Sequence, residues 1–81
     1  MTLELYQRVA LRRDLDQHGL KAGDIAMLVD TVPHPRGGED GYVLEVFNAV
    51  GDSIAVVTVR QSDVEPLRAG EVLAVRELAG T

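Results

Sequence analysis

The sequence has no cysteine and no tryptophan, and its aromatic side chains are limited to Tyr6, Tyr42 and Phe47. Without cysteine there can be no disulfide, no thiolate metal ligand and no cysteine nucleophile. Tyr42 and Phe47 fall on opposite sides of one strand by parity. The chain therefore lacks the clustered rings that read proline-rich peptides, methylated lysines or single-stranded nucleic acid. Apolar runs are short, as in Ala26 to Val29 and Ile54 to Val57, against the roughly 20 residues of a membrane span. The opening MTLELYQRVALRR has no basic start followed by an apolar stretch, so no signal peptide is expected and a cytoplasmic location is.

Positive charge is also scarce. Eight Lys and Arg stand against thirteen Asp and Glu, a formal net charge of −5. Residues 1–38 balance to zero, and the whole deficit lies in residues 39–81. Nucleic-acid binding rests on a cationic surface that releases counterions, and no basic cluster exists beyond Arg12-Arg13. Nucleic acid and membrane are excluded as expected partners; a basic protein suits the acidic half better.

Eighty-one residues, 46% hydrophobic and 26% charged, make a single globular domain over residues 1–81. From Gly23 onward, β-branched residues come in short blocks between turn residues, as in a small antiparallel β protein. The blocks are Asp24 to Val32, Tyr42 to Asn48, Ser53 to Arg60 and Val72 to Leu78. Two prolines and three glycines between Pro33 and Gly41 make a long hairpin tip. Ala49 to Asp52 is a tight connection in which Gly51 can take the left-handed conformation. Ser62 and Glu65 have capping-box spacing, and Pro66 limits any helix starting there to one short 3₁₀ turn. Residues 1–20 are open to two readings: Leu5, Tyr6, Val9, Ala10 and Arg13 lie near helical spacing, while Val9 and Leu11 alternate as an edge strand would.

Read together, Arg8-Val9-Ala10-Leu11, Asp14-Leu15, and His18 through Ile25 (H-G-L-K-A-G-D-I) resemble the opening of a bacterial family of short proteins known as domain of unknown function 4926. The likeness continues through Val29, Gly41 to Gly51, Ala55 to Val59 and Asp63 to Leu67, most of the chain. Ala26, Val43 and Asp52 depart from residues common in that family. The resemblance implies an SH3-like, five-stranded, partly open antiparallel barrel, with Val9 to Arg12 as a strand and Asp14 to Lys21 as a long first loop. It carries over no catalytic residues.

The inventory for chemistry is equally thin. Catalysis needs a nucleophile, base or metal in mutual reach. His18 and His34 fall in loops, Ser62 is spoken for as a cap, and Ser53 enters a strand. The pairs Asp14 with Asp16 and Glu39 with Asp40 sit in polar turns. Two loop histidines and scattered carboxylates lack the spacing of a zinc site, and Gly37-Gly38 lacks the lysine and helix start of a phosphate cradle. No enzyme, no metal and no cofactor is expected.

Strand parity points instead to a surface. Tyr42, Leu44 and Val46 share one face of their strand, and Val43, Glu45 and Phe47 the other. Thr58 orients the next strand with Ile54 and Val56 outward, leaving Ala55, Val57 and Val59 inward. Val43, Phe47, Ile54 and Val56 then form an outward apolar patch carrying Glu45, a pattern typical of partner surfaces. The competing expectation is that the first segment or Val72 to Leu78 covers this face. The sequence thus reads as a non-enzymatic protein-interaction module of antitoxin or immunity type. Val43 and Phe47 would supply the desolvated centre of a patch that includes Ile54 and Val56, and Glu39, Asp40 and Glu45 would steer a basic partner. Two alternatives are an accessory or maturation subunit of a metalloenzyme, by analogy with the SH3-like barrels of nitrile hydratases, and a homodimer paired through open strand edges.

Overall fold

A computed structural model of the chain describes residues 3–78. Its strands follow the period-2 alternation: β1 (Arg8–Leu11), β2 (Ile25–Val32), β3 (Gly41–Phe47), β4 (Ser53–Arg60) and β5 (Val64–Pro66). They form one antiparallel sheet in the order β4-β3-β2-β1-β5. The sheet curls around a core and stays open, with β4 at one edge and β5 at the other. This is the SH3-like, partly open barrel that the resemblance implies.

The two long hairpins carry most of the ladder. β3 pairs with β4 from Gly41 opposite Arg60 to Val46 opposite Ala55, and Ile54 is then the extra residue of a bulge. The turn behind it closes on Asn48, whose Oδ1 accepts the N–H groups of Val50 at 3.1 Å and Asp52 at 2.9 Å. Gly51 supplies the positive φ, 90°, that this turn needs. A second bulge between Leu28 and Asp30 bends β2 against β3.

Burial follows parity. Leu28 and Leu44 from the hairpins, Val9 from β1 and Leu20 from the first loop are the largest fully buried side chains, and Tyr42, Val46, Val57, Val59 and Val64 complete the wall. The first loop reaches the core through one turn. A 3₁₀ segment, Asp16–His18, ends at Gly19 in the left-handed conformation (φ 68°). The chain then doubles back so that Leu15 and Leu20 bridge and Leu20 points inward.

Four expectations need correction. The first segment, which pattern leaves open, is the strand that the resemblance implies, with Val9 and Leu11 drawn inward between β2 and β5, but it spans Arg8–Leu11 rather than Val9 to Arg12. The Ser62–Glu65 cap does not form. Asp63 closes the turn instead, its carboxylate accepting the Arg60 N–H at 3.0 Å. That places a 3₁₀ segment at Gln61–Asp63 and frees Glu65 to pair with Ala10. The chain therefore has two 3₁₀ turns among its described residues, not one. Finally, Val72 to Leu78 is no strand. Pro66 lacks a donor and the Arg68–Glu71 turn, with Glu71 N–H on Arg68 O at 3.0 Å, swings the chain away from the β5 edge. The segment runs beside Ala10, Ile25 and Phe47 instead.

Candidate interaction surface

The outward face of β3 and β4 is assembled by register. Glu45 lies opposite Val56 and Val43 opposite Thr58. Beyond Glu45, Met27 of β2 and then Arg8 of β1 continue the same row. Residues paired across antiparallel strands project to one side, so Arg8, Met27, Glu45 and Val56 form a band across the sheet.

The structure places the expected residues in two groups. Val43, Glu45, Phe47, Ile54 and Val56 do share the outer face. Exposure rises toward the open edge: Val43 and Glu45 are half-buried by their neighbours, Phe47 and Ile54 are 39% and 40% exposed, and Val56 is 62% exposed. The C-terminal segment takes part of the Phe47 end, where Leu78 and Val75 border a groove with Phe47 and Ile54. Val56 lies outside that groove. The covering of this face is thus partial.

Glu39 and Asp40 belong elsewhere. They precede Gly41, at the opposite end of β3 from Phe47, a separation of about 20 Å along an extended strand. Glu39 Oε2 accepts the Ser62 N–H at 2.7 Å and Oε1 its hydroxyl at 3.1 Å. Asp40 Oδ1 accepts the His34 N–H at 3.1 Å, and its carbonyl accepts the Gln61 N–H at 3.2 Å. Both fasten the hairpin tip to the turn before β5, so they are not part of the patch.

Two further carboxylates hold the frame. Asp63, buried, accepts Arg13 Nε at 2.7 Å and Nη2 at 3.3 Å in addition to the Arg60 N–H. Burial is the strongest single influence on its carboxyl and pushes the pKa up, but the hydrogen bonds and positive charge of Arg13, with those of Arg60, together hold it below the ordinary value. Asp24 is gripped by Arg76, whose Nε donates to Oδ1 at 2.8 Å and whose Nη2 reaches both Oδ2 and the Gly19 carbonyl. The Arg76 hydrogen bonds are the main reason its carboxyl also sits below the ordinary value. This clamp ties the C-terminal segment to the barrel.

A second concavity lies between the first loop and the β2–β3 tip, and it gathers His18, His34, Arg13 and Asp63 on its walls. No spacing in the sequence links residues 18 and 34; the fold alone brings them together. Arg13 and Asp63 neutralise each other there, and His34 Nδ1 accepts the Arg36 N–H at 3.1 Å. Among the described residues no three His, Asp or Glu side chains group closely enough to hold a metal ion. No helix there is long and apolar enough to cross a membrane.

No curated protein and no solved structure matches the chain. A family model does, over residues 5–66, from the approach to β1 through the end of β5. The match takes in the whole sheet, the first loop, the hairpin tip and every residue of the outer patch, and it stops where the Arg76 segment begins. The chain belongs to the family described as domain of unknown function DUF4926.

Proposed function

We propose that this protein is a non-enzymatic interaction module that binds another protein on the outer face of β3 and β4, as an antitoxin- or immunity-type partner does. The observation that carries the reading is the run of exposed apolar side chains Phe47, Ile54 and Val56 along the open edge, adjoining Glu45. A small domain gains stability from every apolar group it can bury, so leaving this row in water favours a docking role over a packing one. Phe47 and Val56 supply desolvated contact at the centre, and Glu45 with the net charge of −5 speeds encounter with a basic partner. The non-enzymatic reading draws support from the carboxylates: those with shifted pKa, Asp24 and Asp63, are consumed in ion pairs that hold the frame.

The test is affinity capture from native lysate with wild-type and Phe47→Asp baits, each first verified as folded, at low and moderate salt. The reading predicts one small basic protein on the wild-type bait, weakened by salt and absent from the variant. Equal recovery on both baits would place the docking surface elsewhere.

A further inference from the structure

β4 is an eight-residue edge strand (Ser53–Arg60) that pairs, among the described residues, with β3 alone. Natural edges are shielded by charges, prolines, short length or bulges, and the bulge here lies at Ile54, at the Asp52 end. Of the other three, this edge has none along Ser53-Ile54-Ala55-Val56-Val57-Thr58-Val59. Its charges sit just outside, Asp52 before the strand and Arg60 at its end.

The hydrogen bonds at the Arg60 end reveal which backbone groups are spare. Gln61 N–H donates to Asp40 O, which adds one rung beyond the Gly41–Arg60 pair. Rungs alternate along an antiparallel ladder, so N–H and C=O of Val59 and Val57 also turn toward β3. Those of Arg60, Thr58 and Val56 turn the other way. The Arg60 N–H confirms this by donating to the Asp63 carboxylate rather than to β3. Val56 and Thr58 therefore offer backbone donors and acceptors to the open edge.

We propose that this edge pairs with β4 of a second copy, antiparallel and centred on Val56, to join two sheets into one. Because the free groups belong to even-numbered residues, even must face even. With Val56 opposite its counterpart, Ile54 meets Thr58 on either side, and Arg60 of each copy meets Asp52 of the other. The exposed Arg60 guanidinium makes no salt bridge among the described residues, and the Asp52 carboxylate has only a 3.4 Å contact from Asn48. Both are available. Sliding the register by two residues in either direction takes Arg60 away from Asp52, setting it opposite Ile54 or Val50. The pairing is thus selected by hydrogen-bond parity and by two symmetric charge matches, as a two-fold interface requires. It uses the backbone edge and goes beyond the reading above. The outer face keeps its exposed part and is doubled.

The experiment is sedimentation analysis of the full chain and of Asp52→Arg and Arg60→Asp, singly and mixed. The wild type should sediment as a dimer in the micromolar range. Each variant alone places like charges at both ends of the pairing and should sediment as a monomer. An equimolar mixture restores both opposite-charge contacts and should return a dimer containing one copy of each. Val56→Lys, which sets two like charges on the axis, should be monomeric on its own. A wild type that stays monomeric across that range, single variants that still dimerise, or a mixture that stays monomeric would each overturn the proposal. Phe47→Asp should leave the dimer intact, so loss of partner capture and loss of self-pairing are read separately.

Discussion

β3 and β4 turn two faces of similar composition toward different surroundings. Inward go Tyr42, Leu44, Val46, Val57 and Val59, each at 8% exposure or less; outward go Val43, Phe47, Ile54 and Val56, of which Val56 keeps 62% of its surface in water. The apolar content of a strand therefore does not say which face makes the core. The inner face meets β1, β5 and the first loop and is sealed by Leu20 and Val64. The outer face meets only the C-terminal segment, and only at the Phe47 end. One face supports the fold, and the other stays largely outside it.

The comparison breaks most readily from the inside. Leu44 is fully buried, and Leu44→Ala removes its apolar contacts and leaves a cavity, a loss of about 2–5 kcal/mol. Urea unfolding should show a much lower midpoint. For so small a domain the variant should be close to unfolded at ambient temperature.

Asp63 comes next. Asp63→Ala leaves the Arg60 N–H without its acceptor and parts Arg13 from the turn before β5, at a cost of about 2 kcal/mol. The pH dependence has a definite sign. Asp63 and Asp24 both titrate lower in the folded chain than when unfolded. Their contribution is therefore complete above the unfolded value of about 3.9 and disappears as pH falls through the lower folded values. Thermal midpoints measured downward from about pH 5 should fall steeply in the wild type and less steeply in Asp63→Asn. A wild-type midpoint that held steady through this acid range would contradict the roles given to both carboxylates.

Arg76 sharpens the comparison with a smaller effect. It clamps a segment with no ladder of its own, and Val72 and Val75 on that segment are 91% and 93% exposed. Arg76→Ala should release the segment and leave the barrel standing, with under about 1 kcal/mol of global loss. Amide exchange should quicken across residues 71–78 and remain unchanged in β1 and β3.

Much of this architecture is legible in the sequence. The hairpin blocks, the Gly51 turn and the facing of β3 and β4 come from local pattern, because Thr58 and Glu45 mark the wet side of strands whose other residues are mostly apolar. β1 is harder: Val9 and Leu11 satisfy strand alternation and near-helical spacing together, and only pairing with β2 and β5 decides between them. β5 has three residues, too few to show a period. Ser62 and Glu65 match a local cap, yet Glu39, 23 positions away, takes the Ser62 N–H and hydroxyl. Arg13 with Asp63 and Arg76 with Asp24, 50 and 52 positions apart, are likewise invisible to local spacing. The same holds for the outer patch of β3 and β4. Its side chains are legible by parity, but the removal of Glu39 and Asp40 from it, and the free backbone edge beside it, depend on strand order.

The claim that the outer face is spare to the fold is tested most directly by the urea midpoint of Val56→Lys set beside that of Leu44→Ala. A lysine at position 56 stands opposite Glu45 and extends into water, so the midpoint, read below the concentration range in which copies pair, should lie within about 0.5 kcal/mol of wild type, while Leu44→Ala falls far below. A Val56→Lys midpoint as low as that of Leu44→Ala would make the outer face part of the core and contradict the account.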